Sequence, residues 1–102
     1  QMCLYPTAPL PGFEATPDGD LTLLAKLLKT ALKSLNDVFP NAPFNLGLHT
    51  APPRDSRRSS YRWHLMITPR LTGIAGFEIG SGSWINVVSP EDAAARFRDA
   101  IR

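Results

Sequence analysis

Two histidines, His49 and His64, are the residues of this 102-residue chain best suited to hold a metal ion. Each lies in a segment, residues 44–50 and residues 61–68, where apolar and polar side chains alternate. Such alternation is typical of a β-strand with one buried face. If the two segments pair as a hairpin whose loop is centred between residues 56 and 57, His49 falls opposite His64. Two imidazoles at cross-strand distance on one sheet face could coordinate one ion.

The residues around this pair leave two interpretations open. In the same register Gly47 falls opposite Met66, whose thioether suits soft Cu(I) better than zinc. Two histidines do not complete a zinc site, and no carboxylate is near them in sequence. A pair of half-buried sheet histidines held by hydrogen bonds is therefore the competing interpretation.

Other candidate groups are a carboxylate and a cluster of arginines. Glu78 follows Gly76 and Phe77 and stands apart from the other acids, and a carboxylate can accept hydrogen bonds from sugar hydroxyls. A solvated glutamate on an edge strand is the alternative. Arg54, Arg57 and Arg58 could hold a phosphate or simply form a solvated loop. Cys3 lies in an apolar segment without a nearby cation, which predicts a buried, unreactive thiol.

The elements that position these groups follow from periodicity. Leucines and alanines recur at helical spacing over Leu21–Phe39, after a start signal in which Thr16 is the expected cap and Pro17 the first helical residue. A second helix begins after Ser89. Trp63 and Trp84 are expected in the core. The expected strands are residues 1–5, 44–50, 62–68, 74–79 and 84–88.

This order predicts one α+β domain over residues 1–102, an antiparallel sheet with two main helices packed mainly on one face. The formal net charge of +2 is too small and too dispersed for a surface that tracks nucleic acid. No apolar run approaches the ~20 residues that span a bilayer. The single cysteine excludes an internal disulfide, which is consistent with a reducing compartment, and we expect a cytoplasmic protein.

With these residues laid out, the chain resembles the C-terminal half of the hexose-1-phosphate uridylyltransferases, the galactose-1-phosphate uridylyltransferase family. The resemblance covers nearly the whole chain, because short motifs match in order. They are Leu4-Tyr5-Pro6, Leu48-His49-Thr50-Ala51-Pro52, His64 with Pro69-Arg70-Leu71, Gly76-Phe77-Glu78, Ile85-Asn86, and Pro90-Glu91 with Ala93–Arg96.

The resemblance implies a histidine-triad-like fold and a share in uridylyl transfer between UDP-glucose and a hexose 1-phosphate. In the family a histidine of a His-Pro-His motif in the other half is the nucleophile. This chain has no such motif, and His64 is the one histidine at the three triad positions, so the chain alone is expected to be inactive.

The resemblance also implies roles for particular residues. Phe77, Glu78 and Asn86 correspond to residues that contact the sugar, in the family within the active site of the partner subunit of a dimer. His49 and His64 correspond to ligands of a zinc or iron site, although Met66 stands where relatives carry a histidine or glutamate. The expected partners are the N-terminal catalytic half, a sugar nucleotide, a hexose 1-phosphate and a second copy.

Two rival functions remain open. One is a stand-alone, catalytically inactive sugar-nucleotide-binding or interaction module that kept the fold. The other is a related nucleotidyltransferase or phosphorylase that acts on a different sugar nucleotide. Met66 and the absence of a lysine at Thr72 or Gly73, where some family members have one, are the features that favour the first rival and make the second credible.

Overall fold

The protein is described by a computed structural model over residues 1–54 and 58–102, with the backbone alone at residue 58. Three antiparallel strands form a sheet in the order β1-β3-β2. The strands are β1 (Met2–Leu4), β2 (Phe44–His49) and β3 (His64–Pro69). The α-helices are α1 (Asp18–Val38), α2 (Gly76–Ser81) and α3 (Pro90–Ile101), with single 3-10 turns at Phe13–Ala15 and Arg58–Ser60.

The β2–β3 hairpin has the register that the sequence predicts. His49 pairs with His64, and Gly47 pairs with Met66. A shift of one residue would turn every side chain of a strand to the opposite face, so the alternation of both segments excludes the odd registers, and the length of the connecting loop selects among the rest.

The core lies between one face of the sheet and the two long helices. Ile67 of β3 is completely buried against Ala31 and Leu35 of α1. Partly buried apolar side chains surround them, namely Met2, Leu4, Leu28, Leu32, Phe39 and Phe97. The rings of Phe39 and Phe97 meet edge to face, with centroids 6.2 Å apart, where α1 crosses α3. The predicted α+β architecture with two main helices is confirmed.

Helix α1 begins one residue later than the sequence predicts. Pro17, rather than Thr16, occupies the N-cap position, and no side chain caps the helix there. Thr16 instead belongs to the preceding 3-10 turn, because its N–H donates to the carbonyl oxygen of Phe13 at 3.0 Å. The start of α3 agrees with the expectation, since the Ser89 hydroxyl accepts from the N–H of Asp92 and Pro90 is the first helical residue.

The prediction of two strands after β3, over residues 74–79 and 84–88, is wrong. Residues 76–81 form the helix α2, and residues 84–88 form no strand. Local hydrogen bonds explain the helix: the Glu78 carboxylate accepts from the N–H of Ala75, and Gly82 ends the helix at φ +69°, a left-handed conformation that glycine adopts without strain.

Residues 71–88 extend away from the rest of the chain, and we call them the arm. Among the described residues, no Cα atom of α2 lies within 8 Å of another helix or strand. The radius of gyration is 16.0 Å, against about 13 Å for a compact domain of this length. The molecule is therefore flat, 39 × 38 × 21 Å, rather than rounded.

Candidate functional site

The two histidines meet on the face of the sheet that carries no helix. Their rings are stacked, with centroids 4.8 Å apart and planes within 5° of parallel. The ring of Tyr61 lies 6.0 Å from that of His64 at a tilt of 34°. His64 Nδ1 is 3.1 Å from the carbonyl oxygen of Arg62, which fixes the ring if that nitrogen carries the proton. The predicted juxtaposition of His49 and His64 is confirmed.

Neighbouring residues of the same face hold the pair in place. The His49 ring leans over Gly47, where an added Cβ atom would come 3.5 Å from His49 Nε2. A glycine there keeps the space beside the ring open. The Met66 sulfur accepts a hydrogen bond from the Gln1 side-chain amide at 3.7 Å. Cys3 pairs with Met66 across β1 and β3 and is exposed, so the prediction of a buried thiol is wrong.

These residues do not fit a zinc or iron site supplied by this chain. Imidazole nitrogens bind metals through lone pairs that lie in the plane of the ring, and stacked parallel rings direct those lone pairs side by side rather than towards one point. Met66 offers a neutral thioether, whereas zinc in proteins is bound by cysteine thiolate, histidine nitrogen and carboxylate oxygen. Within the described ranges, no three histidine, cysteine or acidic side chains are close enough together to hold an ion. The face instead presents a packed aromatic surface.

The arm carries the residues predicted to contact a sugar. Phe77 and Glu78 lie in the first turn of α2, and Asn86 lies in the irregular segment that follows. One Glu78 oxygen, Oε2, accepts from the N–H of Ala75 at 3.0 Å. The other oxygen has no hydrogen-bond partner among the residues that the structure describes, so it remains free to accept from a hydroxyl. The Asn86 amide oxygen accepts from the N–H of Val88 at 3.3 Å.

The arm is also unusually apolar for an exposed segment. Trp84 is 76% exposed, so its expected place in the core is wrong, whereas Trp63 is buried as predicted. Five further large apolar side chains of the arm are more than half exposed, namely Ile74, Phe77, Ile79, Ile85 and Val87. Exposed apolar side chains in this number within one segment indicate a contact region. The sequence pattern does not reveal it, because residues 74–79 and 84–88 are interpreted there as short strands and Trp84 as a core residue.

The two predicted sites are not brought together within this chain. The histidine pair lies on the sheet, and α2 approaches neither β2 nor β3 in the described structure. The phosphate prediction for Arg54, Arg57 and Arg58 stays untested, because Arg57 and the side chain of Arg58 lie outside the described residues. A groove of about 200 Å³ between the N-terminal segment and α1 includes Tyr5, Leu23 and Trp63 in its lining but no predicted site residue.

Comparison with known proteins identifies relatives in one family. No protein-family model matches the sequence. An ADP-glucose phosphorylase of Arabidopsis thaliana is 42% identical over 79 residues, which are 76% of this chain and 21% of that protein.

Solved structures agree with the sequence match. A GalT-like protein and an ADP-glucose phosphorylase with bound ADP-glucose, both from Arabidopsis thaliana, are each 34% identical with a TM-score of 0.86 over 95% of this chain. A uridylyltransferase is 29% identical with a TM-score of 0.83 over 97% of this chain. The chain spans about a third of the length of these structures, 33%, 32% and 33% respectively.

Among the described helices, none combines the length and the apolar character needed to cross a bilayer.

Proposed function

Since the chain belongs to the GalT-like family of galactose-1-phosphate uridylyltransferase relatives, we propose that it is the C-terminal, substrate-orienting domain of a nucleotidyltransferase that acts on a sugar nucleotide. The full-length protein, meaning the polypeptide that the gene encodes, would be the enzyme. This chain would contribute the arm that positions the sugar, and another part of the protein would supply the nucleophile.

The arm is the observation that carries this proposal. Its α2 helix holds Glu78 by a bond to the chain's own backbone and leaves the second carboxylate oxygen open. Phe77, the preceding residue, has a side chain that is 59% exposed. A carboxylate and an exposed aromatic ring in one helical turn suit a hexose, because hydroxyls can donate to the carboxylate and the C–H face of a sugar can pack on the ring. Asn86 would add an amide to the same surface.

The histidine pair has a supporting role in this proposal. His49 and His64 are the two histidines of the chain, and their rings stack on each other rather than facing the arm. A nucleophilic histidine needs an open in-line approach to phosphorus and a group that orients its ring. The stacked pair is accordingly a structural feature of the sheet, and covalent nucleotide transfer belongs to the remaining polypeptide.

The identity of the sugar nucleotide has two candidates. The family resemblance points to uridylyl transfer between UDP-glucose and a hexose 1-phosphate. The 42% identity to an ADP-glucose phosphorylase favours instead phosphorolysis of ADP-glucose. We favour ADP-glucose, because the match to the uridylyltransferase structure is weaker, at 29% identity. A cytoplasmic homodimer in which the arm reaches a second subunit completes the proposal.

Turnover by the full-length protein tests both candidates. We expect release of glucose 1-phosphate from ADP-glucose in the presence of inorganic phosphate, and a much lower rate of exchange between UDP-glucose and galactose 1-phosphate. The opposite preference would favour the uridylyltransferase. Absence of both reactions, with binding of either sugar nucleotide retained in calorimetry, would favour a catalytically inactive binding module. Absence of both turnover and binding would contradict the proposal.

A further inference from the structure

The side chain of Ser81 joins the two parts of the arm. Ser81 is the last residue of α2, and its hydroxyl donates to the carbonyl oxygen of Phe77, one turn earlier, at 2.6 Å. The same Oγ atom accepts from the N–H of Ser83 at 3.1 Å. A serine hydroxyl has one proton and two lone pairs, so both bonds can form at once. One side chain therefore ties the backbone of α2 to the segment that follows it.

The segment after α2 has little other support. The helix ends at a glycine, whose backbone is not restricted by a side chain, and residues 83–88 form neither helix nor strand. Within the part of the chain that the structure describes, two hydrogen bonds hold these residues. One runs from Ser83 to Ser81, and the other lies inside the segment, from the N–H of Val88 to Asn86 Oδ1. The direction in which residues 83–88 leave α2 thus depends on the bond to Ser81.

The two parts of the arm carry opposite hydrogen-bonding groups. Glu78 in α2 has a carboxylate oxygen with no partner among the described residues, and this oxygen is an acceptor. The Asn86 amide oxygen accepts from the N–H of Val88, which leaves the NH2 group of that amide, a donor, to bind a ligand. A sugar hydroxyl can donate and accept at the same time. An acceptor and a donor held in a fixed relative position suit such a ligand better than either group alone.

A purely structural role for Ser81 is the alternative. A serine in a helix often bonds to the carbonyl group four residues earlier, and the bond to Phe77 by itself has that ordinary form. The bond from Ser83 differs, because it reaches past the end of the helix and couples a second segment to it. Stability of the fold has little to gain from this coupling, since Ser81 is exposed and α2 contacts no other described element.

We propose that Ser81 is a positioning residue, whose hydroxyl fixes the direction of residues 83–88 relative to α2 so that the Asn86 amide and the Glu78 carboxylate reach one sugar together. The inference rests on the proposed function in one respect, that Glu78 and Asn86 bind the sugar. Ser81 acts without touching the substrate, since its hydroxyl already makes two bonds within the arm. Without that hydroxyl, Asn86 would sample several directions, and only a fraction of them would reach a sugar bound at Glu78.

Turnover of the sugar nucleotide that the full-length protein prefers tests this role. Ser81→Ala should lower kcat/KM by roughly 3- to 12-fold, mainly through a higher KM, because one neutral hydrogen bond is lost and Asn86 binds the sugar without taking part in the chemical step. Ser81→Thr should restore kcat/KM to within about twofold, since threonine keeps the hydroxyl and its bond to the carbonyl four residues earlier.

Ser83→Ala is the matched control. It keeps the N–H that donates to Ser81, and the Ser83 hydroxyl makes no hydrogen bond with a residue in the described ranges, so we expect unchanged kinetics. A loss of less than about twofold in Ser81→Ala, or an equal loss in Ser81→Thr or Ser83→Ala, would overturn the proposal.

A double-mutant cycle shows whether Ser81 acts through Asn86. In the background of Asn86→Ala, Ser81→Ala should lower kcat/KM by less than about twofold, because the group that Ser81 positions has been removed. A full additional loss in that background would mean that Ser81 acts by another route, and it would overturn the proposal.

Amide hydrogen exchange separates this inference from the proposed function. In the full-length protein, the N–H of Ser83 should exchange roughly tenfold or more faster in Ser81→Ala than in the natural chain, whereas the N–H of Val88, which is bonded inside the segment, should change little. Unchanged exchange at Ser83 would overturn the positioning role whatever the kinetics. Absence of turnover with either sugar nucleotide would contradict the proposed function and leave the exchange result as it is, so the two proposals fail separately.

Discussion

Replacing Glu78 by glutamine in the full-length protein tests whether its carboxylate acts on the sugar. The change keeps an acceptor oxygen in place for the N–H of Ala75, which Glu78 Oε2 now accepts at 3.0 Å. It removes the negative charge without changing the size of the side chain. With that oxygen kept on Ala75, an NH2 group replaces the open carboxylate oxygen, so an effect on turnover reports the loss of the charge and of the second acceptor rather than the shape of α2.

The structure predicts a small effect of Glu78→Gln on stability and a larger one on activity. Because α2 contacts no other described element, we expect Glu78→Gln to change the free energy of unfolding by less than about 0.5 kcal/mol. Hydrogen bonds to a charged group contribute about 1.5–3 kcal/mol, and neutral ones about 0.5–1.5 kcal/mol. Losing the charge on one or two sugar hydroxyl bonds should cost about 1–3 kcal/mol, or roughly 5- to 150-fold in kcat/KM.

The assay is steady-state turnover of the sugar nucleotide that the full-length protein prefers, paired with urea unfolding of the same samples. Glu91→Gln is the matched control, because Glu91 is also an acid in the first turn of a helix, in α3. We expect unchanged turnover for Glu91→Gln. A fall in kcat/KM of less than about twofold for Glu78→Gln, or an equal fall in both variants, would refute the sugar role of Glu78.

Two other predictions follow from the core and from the histidine face. In the full-length protein, Ile67→Ala should lower the free energy of unfolding by about 2–5 kcal/mol in a urea titration, because the side chain is completely buried. Ile101→Ala, at a side chain that is 56% exposed, should lower it by less than about 1 kcal/mol. Similar losses in the two variants would contradict the position of the core. Met66→His should raise bound zinc or iron, measured by elemental analysis, from traces to stoichiometric amounts. The third imidazole would add enough binding free energy for the rings of His49 and His64 to rotate out of their stack towards one ion, whereas Thr68→His, on the same face one pair further along, should not raise the bound metal. A natural protein already carrying one such ion on the histidine pair would contradict the assessment of this site.

The hairpin could be predicted residue by residue, and the reason lies in its alternation. Leu65 and Ile67 on one face, and His64 and Met66 on the other, exclude every register shifted by one residue, and a loop centred between residues 56 and 57 gives the observed one. The stacking of His49 on His64 could not be predicted. It depends on ring rotations that the strand period does not specify, and on the space that Gly47 leaves open beside the His49 ring.

The arm could not be predicted from its pattern because its apolar residues have no core to enter within this chain. Periodicity indicates which side chains are to be buried, but not by what. Ile79 and Trp84 are 77% and 76% exposed, so the described residues do not bury the apolar side chains of this segment. In the absence of a neighbouring strand, local hydrogen bonds determine the backbone conformation, and the bond from the Ala75 N–H to the Glu78 carboxylate favours a helical turn.

These local bonds give the arm a definite shape without support from the sheet. Besides the bond from Ala75 to Glu78, the Ser81 hydroxyl donates to the carbonyl oxygen of Phe77 at 2.6 Å, and Gly82 closes the helix in a left-handed conformation. A contact segment that is already ordered loses less conformational entropy on docking than one that folds as it binds. The bond to Ala75 orients the carboxylate of Glu78 within the arm itself. If Glu78 binds a sugar as proposed, the local capping that makes this segment a helix rather than a strand would also hold the carboxylate in place before the sugar binds.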